Sequence, residues 1–334
     1  MSTYYLVVHG GAGFHSYDSE KDILKSLKKA CSKALTLLER GANSVEAVEK
    51  AVMTLEDAEH LNAGYGSNLT ESGTVECDAA LMDGSQNFGS VGALSGISNP
   101  ITVAKAILDH SLVKSPLGRV PPMTLVATGA YDFATKMKLP TMDPRALISP
   151  QAEKDWIYWK KRIDESITVE VDETLRTSLL QDTVGAIALD CSDRAAAGVS
   201  SGGILYKVPG RIGEASIFGG GCWADSTRGV ACSVSGVGEA IIRLNLARKL
   251  SETLISADNP EDALPRIFDD ELAHAHISAN NCPLAAGATL VIRDSSDGTV
   301  RLWCLFNTPS MAVGFASSEN PQPQVVLKLE NRIT

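Results

Sequence analysis

One threonine in this chain would become a nucleophile if the backbone were cut beside it. The segment Gln181-Asp182-Thr183-Val184-Gly185-Ala186-Ile187-Ala188-Leu189-Asp190 sets an Asp-Thr pair ahead of a run of small apolar residues. A threonine hydroxyl reacts poorly until a base stands beside it, and an N-terminal threonine carries its own base, the α-amine. That amine has a reference pKa of about 8, close to neutral pH. Asp182-Thr183 is therefore a candidate self-cleavage point, with Thr183 as the new N-terminus. Taken alone, the pair equally fits an ordinary loop-to-strand junction, so its meaning depends on other segments.

Four later segments supply matching parts. Ser200-Ser201-Gly202-Gly203 ends a strand and offers a second hydroxyl. Pro209-Gly210-Arg211-Ile212-Gly213-Glu214 sets one arginine between two glycines, and a guanidinium fork suits a carboxylate. Gly219-Gly220-Gly221-Cys222-Trp223-Ala224 lets backbone approach a neighbour closely. Ser235-Gly236-Val237-Gly238-Glu239 joins a strand to a helix, and such a turn exposes N–H groups to an oxyanion. Nucleophile, second hydroxyl, carboxylate clamp and N–H cradle are the parts of an acyl-transfer site. Each part has a plainer reading by itself. Ser201 could cap a strand, Arg211 could form a surface ion pair, and Ser235-Gly236 could be a tight turn.

Rival motifs are weaker. Gly198-Val199-Ser200-Ser201-Gly202 fits G-x-S-x-G, but that elbow needs a helix directly after the serine. Here Ile204-Leu205-Tyr206-Lys207-Val208 reads as extended. Gly10-Gly11-Ala12-Gly13 lacks the lysine of a phosphate loop and the spacing of a dinucleotide fingerprint. The six histidines, His274 and His276 among them, show no metal spacing. No metal or cofactor is expected.

The elements that must position these residues follow from periodicity. Tyr4–His9 reads as a buried strand; Ile23, Leu24, Leu27, Cys31, Ala34, Leu35 and Leu38 recur at helical spacing until Gly41. Asn43 and Glu46 form a capping-box pair ahead of a second helix. The stretch from Asn62 to Ile97 is glycine-rich, with short strands, and a third helix begins after Pro100. Residues 149–181 contain no glycine and are highly charged, which predicts a surface helix followed by a flexible linker. The run Lys160-Lys161-Arg162 there reads as a solvated helix face rather than a nuclear address. After Thr183 the texture is strand-rich: Val184–Leu189, Ala195–Ser200, Ala231–Ser235, a hairpin of Ala288–Arg293 with Val300–Phe306, then Met311–Ala316 and Gln324–Leu329. Glu239–Leu254 reads as one helix.

Composition narrows the function class. The chain has 334 residues, 44 % hydrophobic and 21 % charged, an ordinary globular balance. Its net charge of −10 argues against a broad nucleic-acid face. The seven cysteines are scattered and form no C-x-x-C. That fits reduced thiols in an intracellular protein, cytoplasmic or nuclear. No signal-like opening and no apolar run of transmembrane length occur, so no membrane partner is expected.

These segments occur together with Val8-His9-Gly10-Gly11-Ala12-Gly13, Asn62-Ala63-Gly64-Tyr65-Gly66-Ser67-Asn68, Glu76-Cys77-Asp78-Ala79-Ala80-Leu81-Met82-Asp83-Gly84 and Phe88-Gly89-Ser90-Val91-Gly92-Ala93-Leu94-Ser95-Gly96-Ile97. On these the chain resembles the N-terminal-nucleophile threonine hydrolases of the asparaginase type 2 family, over nearly its whole length except the linker. Within the family it most resembles the taspase (threonine aspartase) branch, which has serine at the place of Ser201 where ordinary asparaginases have threonine. The resemblance implies an α+β fold, a four-layer αββα sandwich, in a single domain spanning residues 1–334. Self-cleavage would leave an α subunit of residues 1–182, with a flexible linker over about 149–182, and a β subunit of residues 183–334.

The same resemblance implies roles. Thr183 is the nucleophile, Ser201 orients its hydroxyl, and Asn62 lies near it. Ser235 and Gly236 form the oxyanion hole, while Arg211 grips the substrate carboxylate, with Gly213, Glu214 and Gly238 lining the substrate site. Glu214 stands where asparaginases place an aspartate for the free α-amine of a small substrate, and where taspase-like sequences lack that aspartate. The taspase branch implies an endopeptidase cutting after aspartate in protein substrates, nuclear regulatory proteins among them. Asp182, presented before the bond the chain itself would cut, points the same way. The alternative is an L-asparaginase or isoaspartyl dipeptidase. A homodimer of the precursor or of αβ units is also implied.

Overall fold

The computed structural model of the protein describes residues 3–13, 15, 17–165, 183–272, 285–294 and 296–329. Asp182, the expected linker beyond residue 165, and His274 and His276 lie outside the described residues.

Small residues decide the centre of the molecule. Strands β5 (Val184–Leu189) and β6 (Ala195–Ser201) consist mostly of alanine, glycine and valine, and every residue in them is buried. Strands buried on both faces belong between two further layers. The earlier strands are β1 (Tyr5–Gly13), β2 (Cys77–Asp83), β3 (Phe88–Leu94) and β4 (Thr124–Val126). The later ones are β7 (Cys222–Asp225), β8 (Val230–Gly236), β9 (Ala286–Arg293), β10 (Val300–Phe306), β11 (Ser310–Ser317) and β12 (Gln324–Leu329). An eight-stranded sheet runs β12-β11-β1-β5-β6-β2-β3-β4, and a four-stranded sheet runs β10-β9-β8-β7.

Strand alternation assigns each side chain to a layer. Val184, Ala186 and Ala188 of β5 join the cluster under helices α1 (Tyr17–Glu39), α2 (Ser44–Glu56) and α3 (Pro100–Ser111). Ile187 and Leu189 join the cluster between the two sheets, with Ala231, Val291 and Phe306. Helix Leu246–Ser256 covers the outer face of the second sheet through Leu246, Ala247, Leu250 and Leu254. The layers are thus helix, sheet, sheet, helix: the expected αββα sandwich.

Local chemistry sets the helix limits. Asn43 Oδ1 accepts the Glu46 N–H at 3.0 Å and Glu46 Oε2 accepts the Asn43 N–H at 3.0 Å, the reciprocal capping box read from sequence. Pro100 opens α3, where its missing N–H costs nothing. Helix Pro150–Asp164 fills the first half of the polar stretch, with Lys160 paired to Asp164 and Lys161 to Glu165 on a solvated face. Among the described residues, no helix is long and apolar enough to cross a membrane.

Two features depart from the sequence reading. The helix expected over Glu239–Leu254 breaks into Gly238–Leu244 and Leu246–Ser256. Asn245 sits in the left-handed region at φ 49 between them, a conformation asparagine tolerates. Its side chain packs where a Cβ on Gly219 would otherwise lie, so the break is tied to the triple-glycine segment. The second is β4 with the following helix Ala127–Lys136. Three mostly exposed edge residues carry too little alternation to be read in advance.

Glu56 links two of the outer helices. Its buried carboxyl accepts the Ile101 N–H at 3.0 Å, tying the end of α2 to the start of α3. Burial pushes its pKa up from 4.5 to about 8. The folded state therefore holds a proton that the unfolded chain releases, and stability present below about pH 4.5 is lost as pH rises through about 8. Glu56→Gln removes that contribution while keeping an acceptor for Ile101. Thermal unfolding of the wild type should decline more steeply between pH 5 and pH 8 than that of Glu56→Gln; equal slopes would contradict this.

Candidate active site

Sheet register assembles the site. Val184 pairs with Ser200, so Ser201 stands one step on, opposite Thr183, and Ser201 pairs in turn with Asp78. Thr183 continues the alternation of Ile187 and Leu189 and points between the sheets. By the same alternation Ser201 follows Ala197 and Val199, and Asp78 follows Ala80 and Met82, onto that face. Three polar residues therefore form a row at one end of the first sheet, all buried.

The second sheet reaches across to Thr183. The Thr183 nitrogen donates to Ser235 Oγ at 3.1 Å, and Ala12 N–H donates to the same oxygen at 3.0 Å. Gly236 follows at φ 144, and a Cβ there would collide with the Ala285 carbonyl. One turn deeper, His9 Nε2 and Ser233 Oγ are 2.7 Å apart. A Cβ on Gly185 would strike both, which explains the glycine two residues after Thr183. Burial pushes His9 down to about 4, so it is neutral at pH 7.

Glu214 completes the contact shell of the threonine. It opens a short 3-10 turn, Glu214–Ser216, and is buried. The Thr183 hydroxyl donates to Glu214 Oε1 at 2.5 Å. Burial raises the Glu214 pKa from 4.5 to about 7, while the Thr183 hydrogen bond and the nearby Arg211 charge oppose the rise. The turn is held from below, because Asp78 Oδ2 accepts the Gly213 N–H at 2.7 Å and Oδ1 accepts the Ala93 N–H at 2.8 Å. Gly238 leaves room for the acid: a Cβ there would lie 2.7 Å from Glu214 Oε2.

Arg211 stands beside this group, engaged with another acid. Its Nη2 donates to both oxygens of Glu239 at 2.7 Å, and its Nε donates to Oε1 at 2.9 Å. Arg211 is 16 % exposed and Glu239 43 %, so the acid is the partner with room to leave. Asn62 holds the neighbouring loop. Its Nδ2 donates to the Gly203 carbonyl at 2.8 Å, and its own carbonyl accepts the Gly202 N–H at 2.9 Å. Ser201 Oγ accepts the Gly203 N–H at 3.1 Å.

The structure thus gathers Thr183, Ser201, Asn62, Arg211, Gly213, Glu214, Ser235, Gly236 and Gly238 at one end of the sandwich. It adds three residues that sequence reading did not single out. Asp78 anchors the Gly213 turn. His9 packs below Thr183. Lys207, 2 % exposed, donates to the Glu76 carbonyl at 2.7 Å. A Cβ on Gly203 would lie 3.0 Å from Lys207 Nζ and 3.2 Å from Arg211 Nη1, so two cations flank that glycine. Asp78 and His9 lie inside quoted motifs, so an acid or imidazole within a buried strand was the available signal. Lys207 offered none, since one lysine in the stretch Ile204–Val208, read as extended, carries no mark of burial.

Known proteins give this geometry its context. The asparaginase family model matches residues 2–301. The isoaspartyl peptidase/L-asparaginase of Xenopus laevis is 30 % identical over 323 residues, covering 94 % of this chain and 96 % of that protein. The Homo sapiens protein of the same name is 36 % identical over 245 residues, 73 % of this chain and 74 % of that one. The plant-type L-asparaginase of Pyrococcus furiosus is 34 % identical over 258 residues, with 74 % and 78 % covered. These relatives correct the expected branch: they carry asparaginase names, and the taspase assignment is withdrawn. That assignment leaned on Ser201, and exchanging one hydroxyl residue for another leaves the rest of the site unchanged. The chain belongs to the asparaginase family of hydrolases.

Proposed function

We propose that the protein hydrolyses β-aspartyl amides that carry a free α-amine and α-carboxylate, namely L-asparagine and isoaspartyl dipeptides. Thr183 is the nucleophile, freed by cleavage of the Asp182–Thr183 bond. The observation that carries this reading is the buried Glu214 carboxyl beside both the Thr183 hydroxyl and Arg211. A buried acid next to a nucleophile is costly unless a cation or donor pairs with it. A zwitterionic substrate supplies that cation as its ammonium group, and its carboxylate suits Arg211. The names of the relatives point to the same substrates.

The steps follow from the contacts. The Thr183 amine accepts the hydroxyl proton, and Oγ attacks the side-chain amide carbon of the substrate. Ammonia or an amine leaves, and water hydrolyses the acyl ester. Ser235 Oγ already accepts two N–H groups, from Thr183 and Ala12, so both of its lone pairs are engaged. Its single O–H remains to be aimed at the oxyanion, together with the Gly236 N–H. Losing one such donor typically costs on the order of 100-fold or more in rate. Ser201 and Asn62 keep the adjoining loop in place.

Arg211 has to exchange Glu239 for the substrate carboxylate. Charge-assisted hydrogen bonds are worth about 1.5–3 kcal/mol. Arg211→Ala should therefore raise KM for L-asparagine by roughly 10- to 100-fold. Glu239→Gln weakens the internal competitor and should lower KM. Steady-state kinetics on both variants checks this, and a raised KM in Glu239→Gln would show that Glu239 positions Arg211 instead of competing for it.

The reading itself is tested by incubating the mature protein with L-asparagine, an isoaspartyl dipeptide and an aspartate-containing polypeptide. The first two should be consumed and the third left whole. Thr183→Ala should remain one chain on a denaturing gel and release no ammonia from asparagine. Two fragments from that variant would contradict the assignment of Thr183.

A further inference from the structure

Self-cleavage raises a difficulty that substrate turnover does not. The base assigned to the mature enzyme is the Thr183 amine, but in the uncut chain that nitrogen belongs to a peptide bond and cannot accept a proton. Another group has to take the hydroxyl proton when Thr183 first attacks. We propose that Glu214 is that group: its Oε1 accepts the Thr183 hydroxyl at 2.5 Å, which makes it the proton acceptor for self-cleavage. This rests on the reading that the chain matures at the Asp182–Thr183 bond.

Among the described residues, no other titratable side chain is hydrogen-bonded to the Thr183 hydroxyl. His9, below Thr183, meets Ser233 Oγ through Nε2. Asp78 takes the Gly213 and Ala93 N–H groups. Glu239 is held by Arg211. Among the described residues, the Thr183 hydroxyl contacts no acceptor but Glu214. The acid is also held still. Its turn hangs from Asp78 through Gly213, and the bare Cα of Gly238 faces Oε2. The charges facing Glu214 are Arg211, which favours its ionised form, and Asp78, which opposes it. A general base works best with a pKa near the working pH, and burial brings Glu214 to about 7.

The step balances. Glu214 takes the proton from Thr183 Oγ as that oxygen bonds to the Asp182 carbonyl carbon. The same proton passes from Glu214 to the Thr183 nitrogen as the C–N bond breaks. An ester joins Asp182 to Thr183 Oγ, and the amine is free. Water hydrolyses the ester, leaving a carboxylate on Asp182 and restoring the hydroxyl. From then on the amine serves as base, and Glu214 is released to hold the ammonium of the substrate. The one acid thus serves in succession two reactions of the same threonine.

The test is the rate at which freshly synthesised full-length chain separates into two fragments on a denaturing gel, followed from pH 5 to pH 9. The wild-type rate should rise as pH passes about 7 and then level off. Glu214→Gln should cut at least about 100-fold more slowly, with no rise near pH 7. Glu214→Asp, which keeps the acid, should retain a pH-dependent rise, and a thermal melt of each variant reports folding. Glu214→Gln cutting at the wild-type rate would overturn the proposal and leave the substrate reading standing. So would a slowed Glu214→Gln that keeps the wild-type pH profile, since that marks a purely structural role. A wild-type chain that never separates at Asp182–Thr183 would remove the maturation step and the proposal with it.

Discussion

A carboxyl group shut between two sheets has lost its water and must find donors, and Glu214 finds the Thr183 hydroxyl at 2.5 Å. Much of the surrounding structure serves that contact. The 3-10 turn presenting Glu214 is anchored through Asp78, itself buried and pushed upward in pKa by that burial, with Lys207 and the Gly213 N–H pulling the other way. Glycine at 238 keeps the space beside the acid open, and glycine at 185 lets His9 and Ser233 meet under the threonine. A methyl group at either position would enter that contact, and strain in a well-packed interior typically costs about 1–3 kcal/mol.

The sandwich architecture explains why so many polar residues converge without unravelling the core. Strand alternation sends Val184, Ala186 and Ala188 to the helices and Thr183, Ile187 and Leu189 to the other sheet. The polar row of Thr183, Ser201 and Asp78 sits at the strand ends, where the apolar packing between the sheets gives out. Ser235 approaches from the facing sheet, so the position of Thr183 depends on both sheets stacking correctly. The halves on either side of Thr183 are interleaved, with β5 paired to β1 and β6 paired to β2. A cut before Thr183 therefore leaves these ladders intact.

The layers were legible in the sequence because they rest on periodicity. The alanine-rich runs at 184–189 and 195–201, the apolar stripe from Ile23 to Leu38 and the Asn43–Glu46 cap all state their structure locally. The candidate residues stood in glycine-rich motifs, and the glycines at 203, 236 and 238 mark backbone that other groups approach closely. Their partnerships were not. Nothing local joins Arg211 to Glu239, 28 positions on, or turns Glu214 toward Thr183 rather than toward solvent. Asn245 broke its helix for a tertiary reason, the approach of Gly219, which periodicity does not register. The branch within the family was misread because Ser201 and a threonine present the same hydroxyl.

The central claim is that Thr183 carries the acyl group of the substrate during turnover. The most direct measurement is mass spectrometry of the mature protein quenched in acid while it consumes L-asparagine. The account predicts a fragment beginning at Thr183 that bears one aspartyl group in ester linkage on that residue, absent when substrate is withheld. Steady turnover with the Thr183 fragment unmodified, or with the aspartyl group on another side chain, would contradict it.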